Sequence, residues 1–433
     1  MKKLYIYISL AIATLTMQSC LHDNDDVFDK SAAERIDEAV ANAKQMLISA
    51  DNGWSLEYYL GSDYVYGGYN MLVKFGKDGK AHLSSEIAKS DSISSSSWDI
   101  TKDQGPVLTF PTYNALLHEL TQPYQDEVNG YEGDYEFVIM KVTQDTIFLQ
   151  GKKWKNEMIM TRIPQNMNWV DHLDSIATVR DNFIYLYKGN VGGKNFKFTL
   201  DADKQFTATS EETVEGEEIK SQFIFTTKGI KLRKPVVING ETISTLEYKQ
   251  DESDVRKSML ISDVKDITLE GDCPSSFQLF SDLEGSYLLT ANNKSAMVML
   301  EPIQSWHGKE FRVKNMLKDE NGEDVDVLIG YDPVYGRMTL QAQYLGSKDQ
   351  TAVYLGAWAL AAGGSISFSA GVVLKWNGDA VAPVYSFEPN GAFQTDSFIL
   401  FGYTNEDWDS FEDWTFTATG SYQLPYLSSM KKL

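Results

Sequence analysis

The sequence predicts a mainly β, antiparallel protein built of lipocalin-like barrel or sandwich modules, with an N-terminal helix and a few short connecting helices. Two observations carry this. Apolar residues recur at every second position in short runs along most of the chain, which is the period of a half-buried strand. Between the runs stand turn signals such as Gly76-Lys77-Asp78-Gly79, Asn239-Gly240, Asn321-Gly322, Asn377-Gly378 and Asn390-Gly391, whose residues accept the positive φ of tight hairpins. Hydrophobic residues make up 42% and aromatics 12% of the 433 residues, enough apolar mass for packed cores. At about 150 residues per domain, that length implies two or three of them.

The chain starts with Met1, Lys2 and Lys3, an apolar run from Leu4 to Thr16, and Met17-Gln18-Ser19-Cys20. A charged start, a short apolar stretch and small residues at a cleavage point are the parts of a secretory signal peptide, here residues 1–19. The run is shorter than the roughly 20 residues a membrane-spanning helix needs. Ser19-Cys20 resembles a bacterial lipobox, which implies lipidation of Cys20 as the first residue of the mature protein. Residues 20–30 then form an acidic tether, and Leu21-His22-Asp23-Asn24-Asp25-Asp26 is similar to the surface-export signal of Bacteroidota lipoproteins. The localisation this predicts is the outer membrane, lipid-anchored and surface-exposed.

Ser31-Ala32-Ala33-Glu34 fits a capping box, and Ile36, Val40, Ala43 and Leu47 follow at helical intervals up to Asp51-Asn52-Gly53. From Trp54 to Ile163 the period falls to two. Strands are expected at Trp54–Leu60, Tyr69–Phe75, Lys80–Ile87, Ser95–Thr101, Val107–Phe110, Tyr135–Val142, Thr146–Gln150 and Glu157–Ile163, with a short helix at Asn114–Leu120. Residues 31–163 thus read as the N-terminal helix plus a lipocalin-like β module. After Pro164, Asn168–Val179 reads as a connector helix. Residues 164–290 form a second β-rich module, with strands at Asn195–Leu200, Gln222–Thr227, Lys234–Asn239 and Glu241–Tyr248, and an acidic loop at Glu211–Glu218. Phe277, Leu279, Phe280, Leu283 and Tyr287 have helical spacing, so Ser275–Leu289 reads as a boundary helix. Residues 291–433 are a C-terminal β domain, with strands at Met297–Glu301, Phe311–Met316, Val325–Tyr331, Met338–Tyr344, Ala352–Trp358, Ser365–Trp376, Ser397–Tyr403 and Trp414–Tyr422.

A family resemblance rests on Asn52-Gly53-Trp54, Gly67-Gly68-Tyr69-Asn70-Met71, Lys74-Phe75, Gly105-Pro106-Val107-Leu108-Thr109-Phe110, Tyr113-Asn114, Leu117-His118, Gly133-Asp134-Tyr135-Glu136-Phe137 and Leu149-Gln150-Gly151-Lys152-Lys153. In this order the motifs resemble the domain-of-unknown-function 4302 family of Bacteroidota surface lipoproteins over about residues 28–290. The resemblance implies a surface lipoprotein, often beside outer-membrane importers of the starch-utilisation type, and brings no established catalytic residues.

Charge and chemistry narrow the function. Lys and Arg total 39 against 61 Asp and Glu, a net charge of −22, which argues against a nucleic-acid partner. The five histidines, His22, His82, His118, His172 and His307, have no metal-ligand spacing, and Leu117-His118-Glu119-Leu120 lacks the second His of a zincin helix. Gly189-Asn190-Val191-Gly192-Gly193-Lys194-Asn195 departs from a phosphate loop at both ends and reads as a hairpin. No cofactor is expected. Asp319, Asn321, Asp324 and Asp326 alternate as weak calcium candidates without the spacing of an EF-hand.

Aromatic residues are the better candidates. Tyr64 and Tyr66 sit among glycines, and Trp408 sits between Asp407 and Asp409, all on expected loops. Aromatic faces beside carboxylates suit sugars, since rings cover C–H patches and oxygens take hydroxyl protons. The leading reading is a non-enzymatic surface lipoprotein, a binding or accessory component of a nutrient-import system that contacts glycan or another small ligand. Alternatives are a glycan hydrolase working through paired carboxylates and a structural component of a surface complex.

Overall fold

The computed structural model describes residues 30–433 except 104, 124–127, 213–217, 306–307 and 405–406. The residues expected to form a signal peptide and a tether (1–29, with Cys20), His307 and most of the acidic 211–218 segment lie outside them. Among the described residues no helix is long and apolar enough to cross a membrane. Antiparallel sheet dominates, as the alternation predicts, in one nine-stranded sheet and two closed eight-stranded barrels.

The capping box forms. Glu34 N donates to Ser31 Oγ (3.3 Å) and Ser31 N to Glu34 Oε2 (2.9 Å) at the start of the helix Ala32–Ile48. Its apolar stripe ends on buried Ala43 and Leu47. Trp54 Nε1 donates to Leu47 O (2.9 Å), satisfying a carbonyl in the helix's last turn and pinning helix to sheet.

In that sheet neighbouring strands run Ser94–Ser97, Lys80–Ser85, Gly68–Phe75, Trp54–Tyr59, Glu157–Arg162, Thr146–Gly151, Glu136–Val142, Pro106–Thr109 and Asp99–Lys102. The two edge strands are consecutive in the chain with only Trp98 between them. Two Cα steps reach at most about 7.6 Å, so the sheet curls until its edges approach. The single expected strand Ser95–Thr101 is therefore two, broken where Trp98 turns inward against Phe75 (4.8 Å between ring centroids). Elsewhere in this module Asp134 Oδ1 accepts the Lys153 amide (2.7 Å) and Oδ2 the Trp154 amide (3.2 Å), while Tyr58 Oη donates to Asp134 O (2.6 Å). Burial pushes this carboxyl above the ordinary aspartate range, against the pull of the two amides.

The connector helix Trp169–Asn182, capped by Asn168, leads into the first barrel. Its strands pair in chain order, Leu186–Val191, Lys194–Leu200, Gln205–Ser210, Glu218–Phe225, Gly229–Ile238, Glu241–Lys249, Met259–Ser262 and Thr268–Gly271, and the last closes on the first through Tyr187 and Gly271. Tyr187, Phe198, Phe206, Phe223 and Phe225 are fully buried inside it, as expected for a barrel just wide enough to be filled by side chains. Gly192-Gly193 and Asn239-Gly240 have positive φ at both positions, the backbone of primed hairpin turns, so the glycine run at 189–195 is a hairpin.

Four sequence expectations are corrected between and within the last modules, two of them because Met338–Tyr344 divides into Arg337–Gln341 and Gln343–Lys348, and Ser365–Trp376 into Ser365–Ser367 and Gly371–Trp376. Ser275–Leu289 is not a helix. Only a short 3₁₀ turn, Phe280–Leu283, forms, and Gly285–Ala291 is the first strand of the C-terminal barrel. Tyr287, Leu289 and Ala291 point inward at period two, and Tyr287 happens also to continue the helical spacing of Phe280 and Leu283. Trp414–Tyr422 is not one strand either: Gly420 N bonds Phe416 O (2.7 Å) and Phe416 N bonds Ser421 O (2.8 Å), so the segment doubles back.

The C-terminal barrel is closed by Leu427–Lys432, which pairs with both Gly285–Ala291 and Val384–Pro389. Against it packs a second sheet made of Gln343–Lys348, Thr351–Ala359, Ser397–Thr404 and Asp407–Ser410. Val353, Leu355, Ala357, Phe398 and Leu400 alternate along its inner face into the barrel's core. Its outer face keeps Tyr344, Phe368 and Trp408 exposed among the described residues.

Candidate functional site

Because strand side chains alternate, burying one face of this sheet presents the other to solvent. The outer face is aromatic. Trp408 stacks on Phe368 (4.3 Å between centroids, 28° between planes), with Tyr403 at 4.9 Å and Tyr354 at 5.2 Å; Tyr344 touches Tyr354 at 5.3 Å, and Phe401 meets Phe368 edge-on at 6.1 Å. Cross-strand register places them: Tyr403 lies opposite Trp408, Tyr344 opposite Tyr354, and Tyr354 opposite Phe401. Phe368 lies over Gly356, where a Cβ would come within 3.4 Å of its ring. Trp408 is 45% exposed, Phe368 41% and Tyr344 55%. Tyr344 Oη is shared with Ser347 Oγ (2.7 Å), whereas the Tyr354 and Tyr403 hydroxyls have no protein partner among the described residues.

The structure thus brings Trp408 together with five rings that sequence reading did not single out. The clue was their alternation, which marks a shared face without saying that the face is wet. The expected carboxylate flank does not form beside Trp408. Asp407 and Asp409 are strand neighbours of Trp408 rather than loop residues, and alternation turns them to the other side.

Tyr64 and Tyr66 stand elsewhere, in the turn between Trp54–Tyr59 and Gly68–Phe75, and both are half-buried. The Arg233 guanidinium covers the Tyr64 ring at 3.5 Å, and Gln205 Nε2 donates to Tyr64 O (3.1 Å) and Val65 O (3.0 Å). Tyr66 packs on Tyr131 at 5.0 Å. The Arg233 and Gln205 contacts fasten the first sheet to the first barrel. The next residues continue the joint: Asn70 Nδ2 donates to Phe225 O (2.9 Å), and Lys204 Nζ reaches Gly68 O (2.6 Å) while lying 3.2 Å from the Tyr69 ring centroid.

The calcium candidates are spent on structure. Asp319 Oδ1 accepts the amides of Asn321 (2.9 Å) and Glu323 (2.8 Å), and this, led by the Glu323 amide, holds its carboxyl below the ordinary range. Asp324 pairs with Lys318 (2.9 Å) and Asp326 with Arg312 (2.9 Å). Among the described residues no group of three or more His, Cys, Asp or Glu side chains could hold a metal ion. His118 stacks on Tyr135 at 5.1 Å inside its short helix. Cys273 is a free, half-buried thiol pushed up to about 11 by burial, so little of it is thiolate at neutral pH.

No curated protein and no solved structure matches the chain. A family model described only as a domain of unknown function (DUF4987) matches residues 262–401, which hold most of the C-terminal barrel and most of the aromatic face. The model of a further domain of unknown function (DUF4302) matches residues 24–250. That stretch takes in the N-terminal helix, the first sheet, the connector helix and the first barrel as far as Glu241–Lys249, along with the Gly67–Asn70 and Asp134–Lys153 segments that tie them together. With more than half of its length in that match, the chain belongs to the DUF4302 family.

Proposed function

We propose that this protein is a non-enzymatic, lipid-anchored protein of the outer-membrane surface that binds glycan on the aromatic face around Trp408, as an accessory to nutrient import. One observation carries the binding reading: six aromatic rings cluster on the uncovered side of a sheet whose other side is sealed into a barrel core. Contiguous exposed apolar surface of this kind marks an interaction site. Its make-up favours a sugar. The Tyr354 and Tyr403 hydroxyls are available to hydroxylated ligands. Stacking on C–H faces with a few hydroxyl contacts requires no metal and no titrating group.

A glycan array followed by calorimetry tests this. Trp408→Ala is expected to weaken binding of an array-identified oligosaccharide by about thirtyfold, the loss of a ~2 kcal/mol central contact, with a thermal midpoint within about 3 °C of wild type. Unchanged affinity in a folded Trp408→Ala protein sinks the reading. The anchor has its own test. Cys20→Ala is expected to move the protein from the membrane fraction to the soluble fraction, and labelled palmitate to enter the wild type alone; an unlabelled wild type that still sediments with membranes contradicts lipidation.

A further inference from the structure

Where the first sheet, the two barrels and the connector helix meet, they enclose a cavity of about 500 Å³, inside the roughly 300–1,000 Å³ span of small-ligand sites. Three cations converge on it from three parts of the fold: Lys204 from the first barrel, Arg180 from the end of the connector helix and Lys309 from the C-terminal barrel. Each donates to a backbone carbonyl: Lys204 to Gly68 O (2.6 Å), Arg180 Nη1 to Glu86 O (3.0 Å) and Lys309 to Asp181 O (2.8 Å). Carboxylates answer only two of the charges. Glu86 lies 3.5 Å from Lys204, and Asp181 3.1 Å from Arg180. Lys309 has no ion pair among the described residues, and burial pulls its ammonium below the ordinary lysine range, with Asp181 opposing and Arg180 adding to the pull.

Neither of the remaining acids of the cavity pairs with Lys309. Asp332 is taken by Arg337 (3.0 Å). Glu310 makes no ion pair among the described residues, burial pushes its carboxyl above the ordinary glutamate range, and its oxygens can accept from a hydroxyl. Phe280 and Tyr331, 5.4 Å apart, form an aromatic wall, with Lys309 Nζ 5.8 Å from the Phe280 ring. A desolvated cation without a counter-charge is costly, and a ligand carboxylate removes that cost.

We propose that this cavity binds an acidic sugar, a uronic acid or its short oligosaccharide, with the carboxylate on Arg180 and Lys309, hydroxyls toward Glu310, and the sugar ring against Phe280 and Tyr331. The site is separate from the aromatic face and does not depend on it.

Calorimetry on the full chain with galacturonate, and with galactose as its neutral counterpart, tests the proposal. Galacturonate is expected to bind, with galactose at least about tenfold weaker. Lys309→Gln is expected to weaken galacturonate at least about tenfold and to leave galactose unchanged. Ser281→Trp, which fills the exposed mouth, should abolish binding without shifting the thermal midpoint, and it decides the matter if Lys309→Gln fails to fold. Trp408→Ala should leave galacturonate binding intact, which separates this site from the aromatic face. No heat up to about 10 mM galacturonate, equal affinity for the neutral sugar, or galacturonate binding lost with Trp408→Ala but kept in Ser281→Trp, overturns it.

Discussion

Lys204→Met is expected to lower stability by about 3–5 kcal/mol, the cost of stranding one partner of a buried ion pair. Lys204 is wedged between the first sheet and the first barrel, and the side chains of Lys204 and Glu86 are 6% and 1% exposed. Glu86 Oε1 also takes the Asn70 amide (2.7 Å) and Nδ2 (3.1 Å), while its Oε2 is buried with no hydrogen-bond partner among the described residues. Without the ammonium this carboxylate loses its ion-pair partner and keeps its amide donors, and the joint loses the bond to Gly68 O. Urea unfolding measures the loss. The double variant Lys204→Met/Glu86→Gln should recover most of it, since replacing both members of a buried pair is often close to neutral. A double variant no more stable than Lys204→Met would place the cost in lost packing instead.

The same lysine predicts a pH dependence. Burial pulls Lys204 from 10.5 to about 8, with Glu86 opposing and Arg180 assisting. Between those values the unfolded chain binds a proton that the folded chain does not, so this group adds stability as pH rises from 8. Above about pH 10 the buried tyrosines Tyr58, Tyr69 and Tyr187, all pushed well up by burial, reverse the trend, because only the unfolded chain ionises them. Thermal midpoints of wild type are therefore expected to gain on those of Lys204→Met between pH 8 and 10.

Gly151→Ala is expected to cost about 3 kcal/mol or more. Its Cβ would stand 2.1 Å from Asp134 Oδ2, so the carboxylate must leave the pocket where it accepts the amides of Lys153 and Trp154. Two part-buried donors then lose their acceptor at ~1–3 kcal/mol each. Asp134→Ala in the same background should add little, because the interaction is already gone; independent, additive losses measured by denaturant unfolding would show that the clash lies elsewhere.

How much of this was legible in the amino-acid order follows from the range of the forces involved. The capping box at Ser31 and Glu34, the strand runs of the first sheet and the Asn239-Gly240 turn depend on residues within a few positions of one another, so they could be read directly. Strands such as Gly285–Ala291 could not. Their pattern fits a helix equally well until partners from Lys294–Ser305 and Leu427–Lys432 arrive. Trp408 was legible as an aromatic in an acidic setting, but its five companions are spread from Tyr344 to Tyr403 and are assembled only by strand register. Alternation says which side chains share a face of a sheet; which of the two faces meets water depends on what packs against the other, and that is settled only when the barrel core of Val353, Leu355 and Phe398 closes. The cavity at Lys204, Arg180 and Lys309 lies still further from view, because its three cations come from three parts of the fold and no local pattern joins them.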